Sequence, residues 1–189
     1  MVQNNDNLPF LADYHLLSTF NVDAPLNLLK RAGVEAYKNT RLPNFHDVGW
    51  EYFDWNLLLN KNYNLAPEKV VIDNIMRINF LELNAVSLVF LNGIFTPNLS
   101  NLDDLGASVE ISEFKNKLPE NVGKIVNFTG NAFAGLNQAY CDNGVNINIK
   151  AGSKITTPLH LVMIGGGENR PLYFPRFFIN VEKGAEEIG

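Results

Sequence analysis

Ile147-Asn148-Ile149-Lys150-Ala151-Gly152 is matched 32 residues later by Ile179-Asn180-Val181-Glu182-Lys183-Gly184. Both copies alternate apolar and polar residues, the period of a strand, and both close on glycine, which takes a tight turn without steric cost. Between them lies a third apolar run, Leu159-His160-Leu161-Val162-Met163-Ile164, introduced by Thr157-Pro158. Short strands closed by glycine and recurring along a chain predict rungs stacked on one another, as in a solenoid. A rung of that kind gains stability only by burying its faces against neighbours. Gly189 follows the second copy closely, so the architecture is expected to be cut short. Its open last rung would leave unpaired backbone groups near Ile179 to Val181, and such edges recruit other strands. Self-association through that end is therefore expected.

Outward from the rungs, the first half reads mainly helical. Asp23 is placed to cap a helix whose first turn holds Pro25, where the missing N–H costs nothing. Leu26, Leu29, Ala32 and Ala36 then share one face, and Leu42-Pro43 is expected to stop the helix. Trp50, Tyr52, Phe53 and Trp55 read as the small core of a helical cap. A base-stacking platform would want basic neighbours, and Glu51 and Asp54 are the opposite. Pro67 opens a second helical pattern with Val71, Ile75 and Ile78 on one side. Near Val86 the text turns to strands. Ser87 to Leu91 and Ile94-Phe95 flank Asn92-Gly93, a two-residue hairpin signal. Pro119 to Val126 and Asn131 to Cys141 read as short helices, the second carrying Phe133, Leu136 and Tyr140 on one face. Asp142-Asn143-Gly144 ends it and launches the rungs. The expected division is a helical cap over residues 1–84 and a β-rich body over 85–189, an α+β to mainly β class.

A hydrophobic content of 46% and a charged content of 19% are those of a folded chain, not a disordered one. The net charge of −5 argues against nucleic acid as a partner, since phosphate binding needs a basic surface. No apolar run approaches the ~20 residues of a membrane-spanning helix. Met1-Val2-Gln3-Asn4-Asn5-Asp6 lacks the basic region and apolar core of a secretory signal. The single cysteine, Cys141, excludes an internal disulfide and suits a reducing cytoplasm.

Few residues are candidates for chemistry. Cys141 shares the apolar face of its short helix, where a cysteine acts as a small buried hydrophobe. A cluster site also needs several thiolates, which one cysteine does not supply. His15, His46 and His160 stand far apart and without metal-type spacing. His160 lies in a strand and points opposite to Leu159 and Leu161, and His46-Asp47 reads as loop solvation. Gly165-Gly166-Gly167 is followed by Glu168-Asn169-Arg170-Pro171, not by the Lys and Ser/Thr of a phosphate loop, and reads as a flexible corner. Glu182, Glu186 and Glu187 read as a solvated acidic end. Nothing here assembles a nucleophile, a base and an oxyanion site, so no catalytic, cofactor-binding or metal residue is assigned and the chain does not read as an enzyme.

Several stretches, in order, carry a family resemblance: Arg41-Leu42-Pro43 with Trp50-Glu51-Tyr52, Leu88 to Ser100, Phe133 to Tyr140, Asp142-Asn143-Gly144, Pro158 to Leu161, Pro175-Arg176, and Val181 to Glu186. From about Leu28 onward the chain resembles the SufB/SufD family, the N-terminal stretch its SufD side. Gly49, before Trp50, departs from the acidic residue common there. The resemblance implies a right-handed parallel β-helix between helical terminal domains. It also implies a scaffold role in iron–sulfur cluster assembly, with SufB and the ATPase SufC as partners. The cluster would form transiently in the full complex, with no cofactor held by this chain alone. The family's reactive cysteine and histidine belong to the C-terminal part of its β-helix, so neither Cys141 nor His160 inherits a role. Two other readings are weaker. A cupin-like metal enzyme around Gly152, Pro158 and His160 would want several histidines and a carboxylate on facing strands. A solenoid acyltransferase would want a short strict repeat, which the loop between the two copies breaks.

Overall fold

Pro25 is the first residue of helix α1 (Pro25–Lys38), where its ring pre-sets the helical φ. The computed structural model describes residues 10–11, 24–61, 63, 84–128, 130–166 and 170–187. The cap of α1 is Ala24, without a side-chain hydrogen bond, and Asp23 lies outside the described residues. So does the helical pattern that begins at Pro67. The helix ends four residues before the expected Leu42-Pro43 stop. Asn39 terminates it by donating both its backbone N–H and its side-chain Nδ2 to the Glu35 carbonyl, at 3.1 and 2.8 Å.

The described backbone divides into two compact units. The first combines residues Met1–Leu65 with Glu120–Cys141. It contains α1, a short helix α2 (Trp55–Leu59) capped by the Asp54 carboxylate, and α3 (Ala132–Ala139) capped by the Asn131 side chain. The buried face of α1 is Lys30, Gly33, Val34 and Tyr37, rotated from the expected Leu26, Leu29, Ala32 and Ala36. The cause is a backbone-to-backbone crossing with α3. A Cβ on Gly33 would lie 2.5 Å from Ala139 N and 2.7 Å from Gly135 O, and one on Gly135 would lie 3.0 Å from Tyr37 N. Only glycines let the helices approach this closely, so they dictate which face is covered. Gln138, fully buried, ties the crossing by donating to the Leu29 carbonyl at 3.2 Å. The Tyr37 hydroxyl is pushed up to about 12 by burial. Residues 119–126, expected as a helix, form turns instead, because Gly123 sits at φ +82°.

The second unit, Ala66–Pro119 with Asp142–Gly189, holds the strands. They are β1 (Val86–Leu91), β2 (Ile94–Phe95), β3 (Val109–Glu113), β4 (Val145–Ile149), β5 (Lys154–Ile155), β6 (Leu159–Ile164), β7 (Phe177–Val181) and β8 (Glu186–Glu187). Among the described residues they form three small open sheets, ordered β2-β1-β6, β3-β4-β7 and β5-β8. β1 and β2 make the expected hairpin, with Asn92 and Gly93 at φ 46° and 80°. Asn92 is also buried and grips Gly166 in both directions, donating Nδ2–H to its carbonyl and accepting its N–H. Gly165 leaves room for the Tyr173 ring, so this glycine corner is a packed one.

From β4 the chain visits the three sheets in turn, β4, β5, β6, and then returns to the first two with β7 and β8. The two returns share one offset. Ile147 pairs in parallel with Ile179 and Lys154 with Glu186, each 32 residues on. The turns repeat as well: Ser153 N–H donates to Lys150 O at 3.1 Å, and Ala185 N–H to Glu182 O at 3.0 Å. Gly152 and Gly184, at φ 70° and 75°, occupy the same left-handed position in both. Apolar side chains stack inside. Val86, Leu88, Phe90, Val145 and Ile147 form the buried core, with Phe177 packed edge-on against Phe90 at 4.8 Å. On the outer side, Asn180 donates to Asn148 Oδ1 at 2.6 Å and Asn148 to Glu182 Oε1 at 2.8 Å. Glu182 also accepts the Ala151 N–H at 3.0 Å, and these two donors hold its carboxyl below its ordinary range. This acid is a clasp between successive turns rather than part of a solvated end.

Candidate functional site

The loop after α1 is built from Arg41-Leu42-Pro43 at one end and Trp50 at the other. Arg41 closes it with a two-pronged pair to Asp47, Nη1 to Oδ2 and Nη2 to Oδ1, both at 2.6 Å. Such planar bidentate pairing fixes direction as well as charge. Asp47 Oδ2 accepts the Asn44 N–H at 2.8 Å, and the Asp47 carbonyl accepts the Trp50 N–H at 3.0 Å. Gly49, at φ +86°, makes the bend that brings Trp50 inward. Asp47 therefore organises the loop; it does more than the solvation expected of His46-Asp47. His46 itself lies against the Phe45 ring, centroids 3.9 Å apart.

Trp50 stacks on Phe133 of α3 with centroids 5.6 Å apart and planes 27° from parallel. Trp55 and Phe53 complete the group, whereas Tyr52 is fully exposed and stands outside it. Beside this aromatic wall lies a cleft of about 730 Å³, with Arg41, Asp47, Asn131 and Phe133 in its lining. The guanidinium and carboxylate neutralise each other, and Asn39, Thr40 and Asn131 add uncharged polar groups to the lining.

The Arg41 guanidinium, with help from the Asn44 N–H, holds the Asp47 carboxyl down at about 2, and the same pair raises Arg41. A carboxyl depressed on folding stabilises the folded loop above its ordinary range near pH 4. That contribution fades as pH falls through about 2. The side-chain carboxyl carbon of Asp47, followed by NMR, should titrate about two units below an ordinary aspartate, and Arg41→Ala should return it toward 4. An unshifted titration in the unmodified protein would contradict the pairing.

The other candidates are scattered. Cys141 is fully buried in the turn after α3, as expected of a small hydrophobe. His160 is half-buried on β6 in register with Ser87, and His15 lies outside the described residues. Gly152 makes a turn and the Pro158 carbonyl accepts the Val86 N–H, both structural roles. Among the described residues no three His, Cys, Asp or Glu side chains come together as a metal site. Among the same residues no helix is long and apolar enough to cross a membrane. Reading by residue type missed the Arg41–Asp47 closure and the Glu182 clasp. The available signal for the first was an arginine and an aspartate flanking a proline- and asparagine-bearing loop.

No family model matches the chain. It is similar to an iron–sulfur cluster assembly SufBD family protein of Synechocystis sp., 29% identical over 167 residues, covering 83% of this chain and 37% of the relative. The resemblance read from the ordered motifs is thereby borne out. The chain spans little more than a third of the length of that relative.

Proposed function

We propose that this chain is a non-enzymatic scaffold component of SUF-type iron–sulfur cluster assembly. In this reading it stands on the SufD side, acts in the cytoplasm, and has SufB and SufC as partners. The observation that carries the proposal is the similarity along 83% of the chain to a protein named for SufBD-family cluster assembly. The strand order supports it. In this reading, the passage through three sheets with re-entry into two of them at a constant 32-residue offset is the start of a parallel β-helix. Its right hand follows from the resemblance. In this reading the glycine-crossed helices with the Arg41–Asp47 loop are the N-terminal cap, and the cleft beside Trp50 is a surface for protein contact. Iron and sulfide are cargo of the assembled complex, and the buried Cys141 offers them no accessible thiolate.

Deleting the gene in the cell of origin should lower the activity of iron–sulfur enzymes while sparing metal-free ones. Equal activities in both strains would overturn the proposal. Metal analysis separates it from the cupin-like alternative, which calls for a stoichiometric, tightly held ion in the purified chain.

A further inference from the structure

We propose that the cleft beside Trp50 takes an extended, uncharged peptide segment of a partner protein. Its backbone spans the ends of two helices, and an apolar side chain lies against the Trp50–Phe133 wall. This occupant rests on the reading of the cleft as a surface for protein contact and gives that surface its ligand class. The whole lining belongs to the helical unit. There Gly33 meets Ala139 and Gly135, whereas Gly135 meets Tyr37, so α1 and α3 run antiparallel. The C-terminal end of α1 is thereby set beside the N-terminal end of α3, and both ends line the cleft.

Helix ends carry backbone groups that their own helix does not use. On the α1 side the Ala36 carbonyl accepts no hydrogen bond among the described residues, since the Thr40 N–H turns to the Tyr37 carbonyl at 3.1 Å. On the α3 side Asn131 accepts the Ala134 N–H on its side chain and the Gly135 N–H on its carbonyl, both at 3.0 Å. The N–H groups of Ala132 and Phe133 are left without an acceptor among the described residues. One wall thus offers an acceptor and the other offers donors.

An extended backbone answers both walls, because each of its peptide groups points C=O to one side and N–H to the other. A helix spends the same groups on itself. Charge narrows the choice further. Arg41 and Asp47 are spent on each other in two 2.6 Å bonds, so a phosphate or a free carboxylate meets no unpaired cation there. The apolar part of the lining includes Val48, which is 94% exposed beside the aromatic wall and gains from being covered. A volume of about 730 Å³ suits a short segment.

The probe is acetyl-Leu-Ala-Leu-amide, an uncharged peptide, titrated into the purified chain and followed by NMR. It should bind saturably and move the Ala132 and Phe133 amide protons downfield, as new hydrogen bonds do. Leu-Ala-Leu with free, charged termini should bind at least about tenfold more weakly. Val48→Asp, at an almost fully exposed position, should keep the fold and weaken binding of the capped peptide about tenfold. Ala132→Pro removes one donor at the first helical position, where proline is accepted and Asn131 before it is already extended. It should weaken binding about fivefold. Absence of binding would overturn the proposal, as would equal affinity for the charged peptide or affinity that neither variant changes. If the peptide does not bind and Val48→Asp still releases SufB from the tagged chain, the cleft is a protein contact of another kind and the peptide proposal fails alone.

Discussion

Gly33→Val should destabilise the helical unit by about 3 kcal/mol, roughly a hundredfold in its folding equilibrium. Its Cβ would lie 2.5 Å from Ala139 N and 2.7 Å from Gly135 O, where both neighbours are backbone of α3 and cannot rotate away. Relief requires moving one helix off the other, which also loosens buried Val34, Tyr37 and Leu136. Both tryptophans, Trp50 and Trp55, belong to this unit and contact Phe133 of α3, so their fluorescence follows its unfolding in urea. Gly49→Ala separates the two reasons for a glycine. Gly49 has a φ of +86° but nothing within 4 Å of an added Cβ, so it should lose only the backbone term of about 1 kcal/mol. Similar midpoints for the two variants would refute the close helix crossing.

Ile147→Ala should cost the stranded unit about 3 kcal/mol, because the side chain is fully buried and its loss leaves a cavity within the stacked column. Ile179→Ala, one repeat later in the same column, should cost less than about half of that in dilute protein, since half its surface already meets water. Hydrogen exchange at the β4 amides reads the difference. The first variant should raise their exchange about a hundredfold, the second only several-fold. Equal effects would mean that the two residues are not successive layers of one column.

The strand repeat was legible because its information is local and occurs twice. Asn148 and Asn180, or Gly152 and Gly184, look alike in sequence because each pair occupies one position in successive layers. Asn92-Gly93 was legible for a related reason, since its turn needs left-handed φ at two adjacent residues. The face of α1 was not legible. It is set by Gly135, about a hundred residues away, and hydrophobic spacing within α1 carries no record of where a partner backbone will press. The parallel pairing of β1 with β6 was hidden similarly, because Val86 and Leu159 are joined by packing and share no repeated text. In the candidate site the aromatic residues announced themselves by type. The Arg41–Asp47 pair did not, because a charge pair across a loop becomes visible only once the loop has closed.

The decisive measurement of the scaffold role is co-expression of the tagged chain with SufB and SufC from the same genome. SufB should be retained on the tagged chain, and its retention should survive salt that strips weak ionic contacts. Loss of both partners, while circular dichroism shows the chain still folded, would contradict a scaffold role for these residues.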